Sequence, residues 1–110
     1  MSLFRRKQRP GTLRSANSAD IDHLVAFLQS REGVEAYLEP RTAVTEMTIV
    51  LVARDGEWTR RRVAGESGAR DFAKRNAIPV YDAAIVGYPQ RMRDWTAKRK
   101  QDGANGGSGS

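Results

Sequence analysis

The sequence predicts a single small α+β domain with the element order α-β-β-β-α-β, an antiparallel sheet and two helices on one face of that sheet. Three observations lead to this prediction. A chain of 110 residues is long enough for one modest core. Residues 19–31 have the apolar period of a helix, whereas residues 45–53, TEMTIVLVA, are β-branched and apolar like a strand. Asp55-Gly56 is a hairpin signal that would bring the next strand back antiparallel.

Both predicted helices have recognisable ends. Ser18 is a favourable N-cap for the helix over 19–31, and Gly33 is a natural C-cap for it. The second helix is predicted over residues 67–77, where apolar residues fall on one side and basic residues on another. Pro79 ends it, because the residue before a proline is disfavoured in the helical region.

Four segments have strand character: residues 34–39, 45–53, 57–64 and 80–86. A two-residue type I′ turn at Asp55-Gly56 would place Leu51 opposite Arg60 and Ile49 opposite Arg62. A β-bulge would shift this register by one residue.

The other face of the hairpin, which includes Val50 and Val52, has the more apolar composition, and we expect the helices to pack there. Trp58, Arg60 and Arg62 would then point to solvent or to a partner.

The net charge of +6 is concentrated at the two ends of the chain. Residues 1–19 carry +5, residues 91–110 carry +3, and residues 20–90 between them carry −2. Basic arms on a slightly acidic domain are typical of proteins that meet nucleic acid or another anionic surface, although solubilising tails would have the same composition. We expect a disordered basic arm over residues 1–17 and an α+β domain over residues 18–89. A basic tail that could be helical would follow over residues 90–102, and a linker or cloning scar over residues 103–110.

A tryptophan beside arginines predicts a nucleic-acid surface. An aromatic ring can stack on a base while guanidinium groups bind phosphates, although Trp58 could equally belong to the core. The candidate residues lie in the first arm, on the third strand and on the second helix; they are Arg5, Arg6, Lys7, Arg9, Trp58, Arg60, Arg61, Arg62, Arg70, Lys74 and Arg75.

The C-terminal tail suggests a second type of contact. Met92 and Trp95 lie three residues apart with arginines around them, as in a short helix that binds a protein partner. The candidate partner-binding residues are Tyr88, Arg91, Met92, Arg93 and Trp95. The chain would in this case be an adaptor that docks on a larger cytoplasmic assembly such as a ribosome or an RNA polymerase.

The sequence contains no pattern of catalytic residues that favours an enzyme. His23 is the single histidine and there is no cysteine, so a metal site of the usual His and Cys type is not expected, and we predict no cofactor. The segment AGESGARDF contains only Gly65 and Gly68 and follows a hairpin, whereas a dinucleotide site needs a glycine-rich turn between a strand and a helix. The chain has no apolar run of about 20 residues and no cysteine, and we therefore predict a cytoplasmic protein without a membrane span.

Two resemblances add to this interpretation. The order of elements from 19 to 77 resembles the double-stranded-RNA-binding domain, in which basic residues on the second helix contact phosphates. Arg70, Lys74 and Arg75 match those positions, but the chain lacks a lysine pair at the helix N-terminus and adds a fourth strand.

The runs VEAYLEPRTAVTE, LVARDGEWTRRRV and IPVYDAAIVGYPQRMRDW are similar to those of a group of short basic actinobacterial proteins of about this length. The similarity covers residues 12–100 and implies no defined function, although some members carry the label oxidoreductase. The sequence thus predicts a small RNA- or ribonucleoprotein-binding module, with a protein-interaction adaptor as the alternative and an oxidoreductase as a remote one.

Overall fold

The computed structural model describes residues 18–105 and confirms the α+β class and the order α-β-β-β-α-β. The described elements are α1 (Ser18–Ser30), β1 (Glu35–Glu39), β2 (Thr48–Val52), β3 (Trp58–Arg62), α2 (Gly65–Arg75), β4 (Val80–Asp82), α3 (Ala83–Val86) and α4 (Gln90–Asn105). The predicted N-terminal arm, with Arg5, Arg6, Lys7 and Arg9, lies outside the described residues.

The four strands form one mixed sheet with the order β3-β2-β1-β4. β2 is antiparallel to both of its neighbours, as predicted, but β4 pairs parallel with β1. The prediction of an antiparallel sheet is therefore corrected. The cause is the connection through α2: β3 and β1 run in the same direction, and a strand that follows a crossover helix returns parallel to the strand before it.

The segment predicted as a long fourth strand divides into a strand and a turn of helix. β4 ends at Asp82, whose carboxylate Oδ1 accepts a hydrogen bond from the amide of Ala84 at 2.8 Å and so caps α3. Gly87, with φ of 72°, ends α3. The basic tail then forms α4, which continues through Asn105, beyond the boundary predicted at residue 102.

The hairpin between β2 and β3 has a three-residue loop, so the prediction of a two-residue turn is wrong. Ala53 N–H donates to the carbonyl of Glu57 at 2.8 Å, and Gly56 N–H donates to the carbonyl of Ala53 at 2.9 Å. Gly56 has φ of +98°, as the last residue of such a loop requires. Asp55-Gly56 is compatible with both loops, and the longer loop shifts the register by the one residue that a bulge would give.

This shift changes which residues share a face. Val50 pairs with Arg60 and Val52 pairs with Trp58, so Trp58, Arg60 and Arg62 lie on the same face as these valines. The opposite face is the one that α1 and α2 cover. The prediction that these two helices pack on Val50 and Val52 is therefore wrong, whereas the prediction that both pack on one face is confirmed.

The sheet has a hydrophobic core on each of its two faces. The larger core lies between the sheet and the helices α1 and α2, and its buried residues include Leu24, Phe27, Ala36, Leu38, Ile49, Leu51, Ala69 and Phe72. The smaller core lies on the other face and consists of Tyr37, Val50, Val52 and Met92, with Trp58, Ala83 and Tyr88 packed against it. α4 supplies Met92 and thereby adds a third layer to the domain.

α4 is anchored at its first turns. The Arg91 guanidinium donates from Nε to the carbonyl of Ala53 at 2.9 Å and from Nη2 to Oε1 of Glu35 at 2.7 Å. Gly56 allows this approach, since a Cβ atom on it would lie 2.1 Å from the carbonyl oxygen of Arg91. Glycine at this turn therefore serves both the positive φ and the contact with α4.

We predict that Gly56→Ala destabilises the protein much more than Gly65→Ala. Both glycines have positive φ, but a Cβ on Gly65 meets nothing within 4 Å. Backbone strain alone should cost about 1 kcal/mol at Gly65. At Gly56 the displacement of α4 should add about 1–3 kcal/mol, measured as the free energy of unfolding in urea. Equal losses in the two variants would show that α4 is not packed against the turn.

Candidate nucleic-acid interface

An open cleft of about 390 Å³ lies between the edge strand β3 and helix α4. We call it the β3–α4 cleft. Its lining combines an aromatic and apolar floor with a cationic rim, and consists of Trp58, Arg60, Tyr88, Met92, Arg93, Thr96, Ala97 and Lys100. The cleft exists because α4 crosses the face of the sheet that α1 and α2 leave uncovered.

The Trp58 side chain packs against the smaller core and also lines this cleft. Its half-buried ring packs against the cluster that contains Val50 and Val52, and its indole Nε1–H donates to the hydroxyl of Thr96 at 2.7 Å. The alternative that Trp58 belongs to the core is thus partly realised. The same ring also lines the cleft, and the hydrogen bond to α4 holds it in one orientation.

Arg60 forms part of the cleft wall, but its charge is compensated. Its guanidinium lies 5.1 Å from the centroid of the Trp58 ring and donates to both oxygens of Glu39, at 2.7 and 2.8 Å. Glu39 also accepts hydrogen bonds from Thr48, at 2.5 Å, and from the hydroxyl of Tyr88. Burial opposes ionisation of Glu39, yet these donors lower its pKa to about 2. The network therefore positions Arg60 and Tyr88 in the wall.

Three exposed cations have no such partner: Arg93 and Lys100, which line the cleft, and Arg62 on β3. Within residues 18–105, no carboxylate forms an ion pair with Arg62, Arg93 or Lys100. Arg93 and Lys100 are seven residues apart and therefore lie on one side of α4, about 10 Å from each other along its axis. Arg62 shares the sheet face with Arg60 and Trp58. Positive charge is thus available along both sides of the aromatic floor.

The predicted basic residues of the second helix do not join this cleft. α2 packs on the opposite face of the sheet, where Arg70 pairs with Glu66 at 2.9 Å and Arg75 pairs with Asp71 at 3.2 Å. Lys74 is exposed on the same helix. The cations of α2 therefore form a surface separate from that of Arg60 and Arg62, and most of their charge is compensated within the helix.

Arg61 also points away from the cleft. Its guanidinium lies 3.7 Å from a carboxylate oxygen of Asp20 on α1 and donates to the carbonyl of Arg60 at 2.7 Å. Beside it, Nε2 of His23 and the hydroxyl of Thr59 are 2.6 Å apart. Burial, followed by the charge of Arg61, lowers the pKa of His23. The three consecutive arginines are thus divided between the two faces by the alternation of the strand.

The candidate partner-binding residues of the tail are used largely within the chain. Met92 is only 7% exposed, and Arg91 is bonded to Ala53 and Glu35. Trp95 is half-buried with the Arg99 guanidinium 5.0 Å from its ring centroid. It lines a different cleft on the opposite side of α4, whereas Tyr88 and Arg93 belong to the β3–α4 cleft.

Sequence reasoning did not single out Thr96, Ala97 or Lys100. With Met92 and Arg93, these residues have the spacing of three, four and seven positions that places side chains on one side of a helix. This spacing in the sequence could have identified them as one side of a helix. Glu39 was also missed as a partner of Arg60, because the two residues meet only through the pairing of β1, β2 and β3.

The described part of the chain contains no cluster of three or more His, Asp or Glu residues arranged to hold a metal ion. None of its helices is both long and apolar enough to cross a membrane. Comparison of the chain with protein-family models, with curated proteins and with solved structures finds no match. The proposals below therefore depend on the geometry and charge of the β3–α4 cleft.

We predict that Glu39→Gln destabilises the protein at neutral pH and that this effect becomes smaller in acid. The folded state lowers the pKa of Glu39 from its ordinary value of 4.5 to about 2. Its ionised form therefore contributes stability above pH 4.5, and this contribution is lost as the pH falls towards 2.

Urea unfolding of the wild type and the variant at neutral pH and at about pH 3 measures the difference. Glu46→Gln is the matched control, because Glu46 is exposed and forms no ion pair with the described residues. A gap between wild type and Glu39→Gln that stays constant over this range would contradict the network.

Proposed function

We propose that this protein is a small, non-enzymatic RNA-binding module that contacts RNA through the β3–α4 cleft. The observation that carries the proposal is a cleft lined by an aromatic ring and by two cations without an ion pair, Arg93 and Lys100, with Arg62 following Arg60 on the same face of β3. RNA offers both chemistries that such a cleft can bind, since phosphates attract cations and bases stack on rings.

The distribution of charge supports this assignment. Six of the arginines in residues 20–90 are paired with carboxylates, namely Arg31, Arg54, Arg60, Arg61, Arg70 and Arg75. Pairing of this kind leaves little field to attract a polyanion. The C-terminal residues 91–110 carry a net charge of +3 and place Arg93 and Lys100 in the cleft, whereas Lys98 and Arg99 line the cleft on the other side of α4. The charged side chains that line the cleft, Arg60, Arg93 and Lys100, are therefore all cations, although residues 20–90 carry −2.

The N-terminal segment would strengthen the same interaction. Residues 1–19 carry +5, and counterion release makes such a segment attract any polyanion without regard to sequence. Arg5, Arg6, Lys7 and Arg9 would thus increase affinity, while the cleft determines where the RNA lies. The absence of cysteine suits the reducing cytoplasm, where we place the interaction with RNA or with a ribonucleoprotein.

We predict that RNA binding falls with salt and that the cleft cations account for a defined part of the slope. Each neutralised phosphate contributes about −0.7 to −0.9 to the slope of log K against log salt. Arg93→Gln with Lys100→Gln should reduce the slope by about 1 to 2 units. The measurement is fluorescence anisotropy of labelled RNA over a series of salt concentrations.

The matched control is Arg41→Gln with Lys74→Gln, which removes the same charge from exposed positions outside the cleft. A chain without residues 1–17 removes the contribution of the arm. If that shortened chain has no affinity for RNA at low salt, the cleft is not an RNA site. Equal slopes for the two double variants would also reject the cleft.

A second candidate function, docking on a protein assembly, is favoured by one observation. α3 exposes Ile85 at 80% and Val86 at 58% of their surface, next to Tyr81. Apolar side chains presented together on a capped turn are typical of a protein contact. The same RNA titration separates the two functions, because an adaptor without RNA affinity would fail it and leave this apolar surface as the remaining contact.

A further inference from the structure

Another cleft lies next to the β3–α4 cleft and is lined by tyrosines. It has a volume of about 220 Å³ and is formed by Glu35, Tyr37, Tyr81, Val86, Gly87, Tyr88 and Pro89. We call it the tyrosine cleft, because it contains all 3 tyrosines of the chain. Its volume is below the range of about 300 Å³ upward that holds a drug-sized ligand, so it suits a single planar group.

The three rings form a row. The centroid of Tyr37 lies 5.3 Å from that of Tyr81 and 6.1 Å from that of Tyr88. Tyr37 is only 6% exposed and supports the other two rings, whereas Tyr81 is 38% exposed at the open end of the row. Tyr88 lines both clefts. Tyr88 thus connects the cleft that contains Trp58 to the cleft that contains Tyr81.

The two clefts differ in charge. The cations that line these clefts, Arg60, Arg93 and Lys100, all belong to the β3–α4 cleft. Among the described residues, Glu35 is the one ionised side chain that lines the tyrosine cleft, and it already accepts from Arg91 at 2.7 Å and from Tyr37 at 2.9 Å. Burial, together with this hydrogen bond, raises the pKa of Tyr37 to about 12, so its ring is neutral at physiological pH. The tyrosine cleft thus suits an uncharged aromatic group and not a phosphate.

We infer that the RNA bound by this protein is single-stranded, with its phosphates along Arg93 and Lys100 in the β3–α4 cleft and an unpaired base stacked on Tyr81 in the tyrosine cleft. This inference rests on the proposed RNA-binding function and specifies its ligand.

The separation of cations from rings favours a single strand. In a duplex the bases are stacked on one another and paired, so their faces cannot reach a protein ring, and recognition uses the backbone and shape. A single strand exposes a phosphate and a planar base with every nucleotide, and adjacent cationic and aromatic clefts match that alternation. The cations of α2, which would serve a duplex in the double-stranded-RNA-binding domain, lie on the other face and are largely paired.

The test compares three probes of equal length with the full chain at one salt concentration: a single-stranded oligoribonucleotide, its duplex, and a strand with abasic sites in place of the bases. All three keep the phosphates, and the abasic strand lacks only the groups that stack. We expect the single strand to bind about tenfold or more tightly than the duplex or the abasic strand.

Variants at the open end of the row locate the stacking. Tyr81→Ala should weaken single-strand binding about tenfold, whereas Tyr81→Phe, which keeps the ring, should bind like the wild type. Ile85→Ala is the matched control, since Ile85 is an exposed neighbour without a ring. Thermal unfolding of each variant verifies the fold, and the abasic probe tests stacking with the unmodified protein.

Two outcomes would overturn this inference and leave RNA binding intact: equal affinity for all three probes, or equal binding by Tyr81→Ala and Tyr81→Phe. In both cases the salt-dependent contact in the β3–α4 cleft would stand by itself. Failure of every probe to bind would reject the proposed function and the inference together.

Discussion

The docking of α4 on the second face of the sheet is the interaction on which the candidate site depends. Arg91 connects the helix to the carbonyl of Ala53 and to Glu35, and Gly56 leaves room for its backbone. Without this layer, Val50 and Val52 would lose burial worth about 1.5–3 kcal/mol each. The tryptophan of β3 would also have no opposing wall. The helix therefore completes a core and creates the β3–α4 cleft in the same contact.

The division of the charges follows from this architecture. Cations that lie within reach of neighbouring strands or helices are compensated, as Arg60 is by Glu39 and Arg91 is by Glu35. Exposed pairs such as that of Arg75 with Asp71 add little stability, but all of these pairs reduce the positive charge that a polyanion meets. On the side of α4 that lines the β3–α4 cleft, no carboxylate of the described residues forms an ion pair with Arg93 or Lys100. The unpaired positive charge of the cleft lining therefore lies on these two residues.

The sequence predicts the elements better than their arrangement, for physical reasons. Apolar period and β-branching are local properties, so the helices and strands lie near their predicted positions. The register depends on whether Asp55-Gly56 closes a two-residue or a three-residue loop, and these residues favour both. The apolar run from Ile49 to Val52 indicates a strand that is buried on both faces. The prediction instead assigned one face of this strand to the core and the other face to solvent. Met92 resembled a partner contact because the helix packs on its own domain and not on another protein.

The site within the cleft can be tested most directly by NMR titration of the full chain with a short single-stranded oligoribonucleotide. The chain has 2 tryptophans, and each indole N–H gives its own signal. Trp58 lines the β3–α4 cleft, whereas Trp95 lines the cleft on the other side of α4 and serves as an internal reference. We predict that the Trp58 indole and the amides around Arg93 and Lys100 shift on binding while Trp95 does not. Shifts confined to α2, around Arg70 and Arg75, with an unchanged Trp58 signal would contradict the account.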